Sequence, residues 1–336
     1  YTVSDAAGNE ANATRTVRVM DESADTDGDG FNDYLEALAG SDFNDSNSTP
    51  GLDFGLIGYW PLEGNASDRS GNDLDGTAQN GASFQAGAVG QGLYFDGTND
   101  ALVLPSFELG GGMTISFWGK IQQFQNWDTI MDFANSSTSE NLKINMNDAG
   151  SEVREMVFQM KTANGDRYVG EPFWVLNEWV HLALTVDSNA TIRLYRSGSL
   201  IATESGADFA SQISRSQHLF GKSTYNANHT KGMVDEIRFY DRAIQAREVA
   251  EIALQGNTAP FDLNASSPLS IAENLPIGTI IGEFIATDPD AWSTITYKLS
   301  DSNSSNDNHF FTLDTNGTLK TATVFDYESN ASTYTI

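Results

Sequence analysis

The chain has 336 residues, 46 acidic against 18 basic side chains for a formal charge of −28, and no cysteine. Such a surface repels nucleic acid and anionic membranes, which excludes both as partners, and the lack of cysteine excludes a disulfide framework. The length suits two to four domains, and with no run of about 18 apolar residues no direct membrane insertion is expected.

Residues 1–20 read as two short strands around the turn Asp5-Ala6-Ala7-Gly8-Asn9, with Tyr1 and Val3 alternating before it and Val17 and Val19 after it. The stretch "YTVSDAAGNEANATRTVRV" resembles the final hairpin of bacterial immunoglobulin-like repeats. At residues 21–51 the chain passes through Asp25-Thr26-Asp27-Gly28-Asp29-Gly30-Phe31-Asn32-Asp33-Tyr34-Leu35-Glu36. This places carboxylates at positions 1, 3, 5, 9 and 12 of a twelve-residue loop, the oxygen spacing that Ca²⁺ requires. Asp25, Asp27 and Asp29 would supply three ligands and Gly30 the sharp turn. The Phe31 carbonyl would point inward, Asp33 would act directly or through water, and Glu36 would close the shell with both oxygens. A short helix over residues 32–39 leaves the loop, with Gly40 as its stop signal, and no helix enters it. The segment looks like the aspartate-rich repeats related to thrombospondin type 3. That resemblance implies a second segment after the helix, where Asp42 and Asn44 either hold a second ion or belong to an Asn/Ser-rich linker.

Residues 52–254 carry strand signals at short intervals: Leu93 and Phe95, Ile115 and Phe117, Val180 to Val186 at every second position, and Ile237 and Phe239. Arg196-Ser197-Gly198-Ser199 reads as a hairpin turn. Many strands with Gly, Asn and Asp turns argue a sandwich. "GLIGYWPLEGNASDRSGNDLDGT", "GLYFDGTNDALVLP", "MTISFWGKI", "EWVHLALTVD" and "GMVDEIRFYDRAIQAREVAEI" occur in the order seen in laminin-G-like domains of the concanavalin A jelly-roll superfamily. That resemblance implies a jelly roll and frequently a structural ion, for which Asp68 and Asp235 are the matching candidates. Asp235 lies on an alternating strand beside core positions, so an ion or a hydrogen-bonded turn must compensate its carboxylate.

Residues 257–336 begin at the linker Asn257-Thr258-Ala259-Pro260 and continue through "SIAENLPIGTIIGEFIATDPD", "FFTLDTNGTLKT" and "FDYESNASTYTI", which resemble bacterial cadherin-type repeats. The resemblance implies a Greek-key sandwich, C-terminally incomplete, with calcium carboxylates at Glu273, Asp326 and Glu328 at one end and Asp288 and Asp290 at the other. The entering linker lacks the acidic residues that complete such shells.

The expected class is therefore all-β, a multidomain string in which a calcium-binding loop with a short helix precedes a laminin-G-like jelly roll and a cadherin-like sandwich. Sugar hydrolysis needs two carboxylates flanking the scissile bond, and no such pair stands out; Asp235 and Glu236 are adjacent and expected on opposite faces of a strand. The four histidines have no metal-ligand spacing. A non-catalytic protein is expected: a calcium-stabilised adhesion or scaffold segment of a large bacterial surface protein, extracellular, with other domains of the same chain as partners. The alternatives are a carbohydrate-binding module of a secreted enzyme, with glycan or cell-surface protein as ligand, and a subunit of an extracellular filament. Among the tryptophans, Trp127 stands in a polar context and is the candidate for stacking on a ligand, Trp118 reads as core, and Trp174 before its strand fits either role.

Overall fold

A computed structural model of the chain describes residues 2–4, 6–7, 9–12, 17, 19–21, 23–124, 127–135, 141–147, 153–162, 165–206, 208–224, 229–255, 261–265, 269–287, 295–299, 307–329 and 331–336. Thr2–Ser4 (β1) and Glu10–Asn12 (β2) form a hairpin that pairs Ser4 with Glu10. The second strand was expected to carry Val17 and Val19, but both lie outside any strand and are exposed. The turn at Ala6 and Ala7 sets the register, so the returning strand pairs through Glu10–Asn12, before those valines are reached. After the acidic loop, helix Asp33–Ala39 (α1) starts at Asn32, whose side chain accepts from the Leu35 N–H at 2.8 Å. It stops at Gly40 in the left-handed region (φ 84°).

The large unit is built from strands Leu56–Trp60 (β3), Thr77–Gln79 (β4), Ser83–Ala86 (β5), Gln91–Asp96 (β6), Ala101–Leu104 (β7), Glu108–Leu109 (β8), Met113–Gln123 (β9), Thr129–Ala134 (β10), Leu142–Asn147 (β11), Val153–Thr162 (β12), Gly165–Val175 (β13), Trp179–Val186 (β14), Ile192–Arg196 (β15), Ser199–Glu204 (β16), Ile213–Ser214 (β17), Gln217–Phe220 (β18) and Lys231–Tyr240 (β19), closed by helix Ala246–Leu254 (α2). One sheet has the order β13-β12-β11-β10-β18-β7-β4; the other has the order β16-β15-β14-β9-β19-β6-β5, with β3 also paired to β19. The Arg196–Ser199 turn is where expected, with Ser197 and Gly198 both at positive φ (47° and 82°), the geometry that suits a tight hairpin.

The two sheets face each other across one apolar core. Leu102, Phe220, Met131, Ile144, Phe158 and Val169 form a cross-strand row on one side of it, and Val180, Leu182, Leu184 and Val186 line the other. Phe133 stacks on His218 at 4.1 Å between ring centroids and leans on Phe239 at 5.1 Å. Every residue of β14 is buried, because its second face is covered too. Ala183, Tyr195 and Tyr240 pack under Val249 and Ile252 of α2, and Trp118 and Trp179 pack with Met233. The alternation visible in the sequence marks the inner face; part of the outer face of this sheet is buried by a helix that follows β19 in sequence.

Strand β19 splits its neighbours, pairing with β6 through Lys231–Val234 and with β3 through Ile237–Tyr240. The break falls at Glu236, a bulge at φ 54°. Simple opposite-face alternation of Asp235 and Glu236 is therefore not met: both are buried, and Glu236 turns to Arg238 (2.7 Å) and the Tyr59 hydroxyl (2.8 Å). The last unit has strands Phe261–Ala265 (β20), Ile280–Thr287 (β21), Phe311–Leu313 (β22) and Thr318–Thr321 (β23) in the order β20-β21-β23-β22.

Candidate cation and ligand sites

The acidic loop folds by satisfying its own backbone first. One oxygen of Asp25 accepts from Gly28 N–H (2.8 Å) and the other from Gly30 N–H (3.1 Å). Asp27 accepts from Asp29 N–H at 3.2 Å, and Asp29 from Phe31 N–H at 2.8 Å. Asp33 holds Thr26 with both oxygens, at 2.8 Å to the N–H and 2.6 Å to the hydroxyl, so it fastens the loop to the start of α1. These bonds leave Oδ2 of Asp27, Oδ2 of Asp29 and Oε2 of Glu36 buried without a hydrogen-bond partner. Asp25, Asp27 and Asp29 each offer an oxygen within 4.8 Å of the others. Burial first, then the charges of Asp27 and Asp29, push the Glu36 carboxyl above the usual carboxylate range. Burial likewise raises Asp27, with Asp29, Asp25 and Asp33 adding to it. Desolvated carboxylates that repel each other and lack donors fit a hard divalent cation.

This loop is not isolated. Arg247, on the first turn of α2, brings Nη1 to 3.7 Å from Asp29 Oδ2, and its guanidinium lies 5.9 Å from the centre of the buried Phe31 ring. Nothing in the sequence marks Arg247 as part of the site, because 211 or more residues separate it from the loop and only the fold brings them together. Downstream, Asp42 accepts from the Asn44 N–H at 3.1 Å and from its amide at 3.3 Å, so these two residues form a local turn on the surface.

In the jelly roll the two implied ligands play different parts. Asp68 accepts from the N–H groups of Tyr59 (3.0 Å), Ser70 (2.9 Å) and Leu74 (3.1 Å) and from the Ser70 hydroxyl (2.8 Å). Burial pushes its carboxyl up, but these donors outweigh it and hold the group below the usual range. Asp235 is fully buried; its Oδ2 accepts from Ala88 and Val89 N–H at 2.9 Å each, and Oδ1 has no partner. Burial raises its carboxyl to about 8. A folded-state value above the unfolded one means its contribution to stability is full below about pH 4 and is lost as pH rises toward 8. In chelator, Asp235→Asn is therefore expected to melt increasingly above the parent as pH goes from 5 to 8, by a few kcal/mol at the upper end. Parallel melting curves across that range would show that Asp235 does not carry the burial penalty.

Trp127 is 50% exposed and sits at φ 62°, a conformation costly for a bulky side chain. It is held by its N–H on the Met146 carbonyl and by Met146 N–H on the Asp128 carbonyl, both at 2.9 Å. Trp60, Trp118, Trp174 and Trp179 are all buried, which places Trp118 in a core as expected and gives Trp174 a core role too. His181 Nε2 lies 2.9 Å from Ser116 Oγ, but both are fully buried, burial lowers the imidazole to about 3, and its Nδ1 has no partner. That pair lacks both an orienting acid and access to a substrate.

In the last unit Glu273, Asp326 and Glu328 come together, each offering an oxygen within 4.8 Å of the others. Glu273 accepts from Tyr327 N–H at 3.1 Å, which ties the two segments. Asp288 and Asp290 lie outside the described residues.

Comparison with known proteins agrees with this architecture. Residues 96–250 match the model of the concanavalin A-like lectin/glucanases superfamily, and residues 267–336 match the cadherin domain. The chain thus carries a concanavalin A-like domain followed by a cadherin domain, two domain types typical of extracellular proteins. No helix among the described residues is long and apolar enough to cross a membrane. No curated protein matches the chain. Among solved structures, domain 4 of AbnA, a GH43 extracellular arabinanase from Geobacillus stearothermophilus in complex with arabinotriose, aligns with TM-score 0.50 and 19% identity over 59% of this chain and 98% of that one. The binding domain of botulinum neurotoxin serotype D aligns with TM-score 0.52 and 13% identity over 84% of this chain and 65% of that one. The binding domain of Paraclostridial Mosquitocidal Protein 1 aligns with TM-score 0.50 and 14% identity over 70% and 76%. At these identities the likeness is one of fold.

Proposed function

We propose that the chain is a calcium-braced extracellular adhesion or scaffold segment of a large bacterial surface protein. The observation that carries this reading is the set of unpartnered buried oxygens of Asp27, Asp29 and Glu36 beside Arg247 of the jelly roll. A cation there neutralises the loop, relieves the repulsion that raises Glu36, and locks the loop in the shape that presents Phe31 and Asp29 to α2. Binding free energy of the ion then becomes rigidity of the link between the acidic segment and the jelly roll. Among the described residues no helix enters the loop, which separates such a brace from a calcium sensor that opens and closes. Glu273, Asp326 and Glu328 supply a second acidic cluster of the kind that braces cadherin repeats. Small-angle scattering with calcium and with chelator tests the brace: a longer maximum dimension and narrower distance distribution are expected with calcium, and identical profiles would overturn it.

A second reading, a glycan-binding module, is favoured by Trp127, which keeps a half-exposed indole on a strained backbone. It is also supported by the arabinotriose held by the AbnA domain of like fold. Trp127→Gly relieves the positive φ, so the variant is expected to melt at or above the parent temperature, by up to about 1 kcal/mol, while losing any stacking ligand. A clear loss of stability in that variant would mark the indole as structural.

A further inference from the structure

Five carboxylates crowd the acidic loop between Asp25 and Glu36. Among the described residues one basic side chain, Arg247 of the jelly roll, is paired with any of them. It meets the loop at three points. Nη1 lies 3.5 Å from the Asp29 main-chain carbonyl and 3.7 Å from Asp29 Oδ2, and the guanidinium stands 5.9 Å from the centre of the Phe31 ring. At 3.7 Å no hydrogen bond forms, so Oδ2 feels the positive charge and keeps its capacity to accept. Oδ2 of Asp27 and Oε2 of Glu36 are likewise buried without a hydrogen bond, and Glu36 has no exposed surface.

The fold fixes where this charge stands. Helix α2 is anchored by the pair of Arg242 with Glu248 and by Val249 and Ile252 packed on Tyr195 and Tyr240. Its first turn is therefore held in place, and Arg247 projects from that turn with its side chain half exposed. A cation in the first turn of a helix stands against the helix dipole. The carboxylates of the loop are the opposite charge that offsets this placement.

We infer that Arg247 is a built-in counter-charge of the loop, which holds the ion-free carboxylates against the jelly roll and competes electrostatically with the calcium ion, an inference that rests on the calcium reading of the loop. Two cations drawn to the same carboxylates repel each other, and by linkage each weakens the other's hold by the same factor. The contacts of Arg247 with the Asp29 carbonyl and the Phe31 ring do not use the open oxygens. The loop thus stays docked on α2 when an ion takes Oδ2 of Asp29, and the ion stiffens a link that already exists. A weakened site suits an extracellular module, which fills at millimolar calcium.

Titration calorimetry of the full chain with calcium tests this, with the Asp29→Asn, Glu36→Gln double variant as reference: the loop's own binding event is the one that the double variant lacks. Arg247→Gln keeps a donor for the Asp29 carbonyl and removes the charge. It is expected to tighten that event about tenfold at low salt, with the gain shrinking as salt rises. Arg247→Lys keeps the charge and is expected to bind calcium as the parent does. In chelator Arg247→Gln is expected to melt below the parent, and saturating calcium is expected to narrow that gap, since the coupling is reciprocal. Unchanged or weaker binding by Arg247→Gln overturns the counter-charge and leaves the calcium reading of the loop intact. Equal shifts in the Gln and Lys variants overturn it as well, since lost packing rather than lost charge would then be at work. Identical titrations of the parent and the double variant overturn the calcium reading and the counter-charge together.

Discussion

Calcium at a hundred times its dissociation constant is expected to stabilise the chain by about 2.7 kcal/mol, and a double change Asp29→Asn, Glu36→Gln to abolish that gain. In a domain this size the gain corresponds to roughly 5–10 °C in melting temperature. The open carboxylate oxygens of the loop decide this. Asp25 has both of its oxygens on backbone N–H groups and Asp33 has both on Thr26, whereas Oδ2 of Asp29 and Oε2 of Glu36 have no hydrogen-bond partner and are buried. A cation supplies what they lack. In chelator the double variant is expected to melt at or above the parent, because the parent then holds a carboxylate raised by its burial and by its neighbours' charge. Differential scanning calorimetry with and without chelator reads both effects. A calcium-dependent rise of the same size in the variant would locate the ion elsewhere, with the Glu273, Asp326 and Glu328 cluster next to be changed.

Arg242→Ala is expected to cost about 3–5 kcal/mol. Its guanidinium forms a two-pronged pair with Glu248, at 2.5 and 2.8 Å, and donates to the Phe54 carbonyl at 2.9 Å. Glu248 also accepts from the Gln245 N–H at 2.7 Å, which starts α2. Glu248 is almost fully buried, so removing Arg242 strands a charge and loosens the helix that covers Tyr240, Tyr195 and Ala183. The double change Arg242→Met, Glu248→Met is expected to recover most of the loss, since no lone charge then remains. Urea unfolding of the three proteins measures this, and a single-variant cost below about 1 kcal/mol would mean the pair is solvated.

The jelly roll was legible because its core residues repeat every second position between turn residues. Val180, Leu182, Leu184 and Val186 are all in the main core, and Ser197-Gly198 turns as its residue types require. The gathering of carboxylates in the acidic loop was legible because their spacing is local: Asp25, Asp27 and Asp29 are brought together by bonds within the loop itself. Asp235 was legible as a carboxylate in need of compensation, and two backbone donors supply half of it. Asp132 stands inside the apolar run of "TIMDFA", but Lys143 falls at an ordinary polar position of the alternation in "LKINMN", so nothing local marks the two as a pair. The pairing of β10 with β11 puts them opposite each other, and Ser223 and Thr224 reach Asp132 from a distant segment of the chain. Val17 and Val19 show the converse: their alternation was real in the sequence, but the hairpin register ended before them.

By itself the sequence determined the all-β class, the core positions of the jelly roll and the carboxylate spacing of the acidic loop. These depend on short-range periodicity and on bonds between residues a few positions apart. The tertiary structure decided which carboxylate oxygens remain open, that Arg247 meets Asp29 and Phe31, that Glu236 bulges to split β3 from β6, and that Asp132 and Lys143 stand opposite each other. Those facts depend on the pairing of distant strands and on which loops exclude water, and neither is encoded in any local pattern.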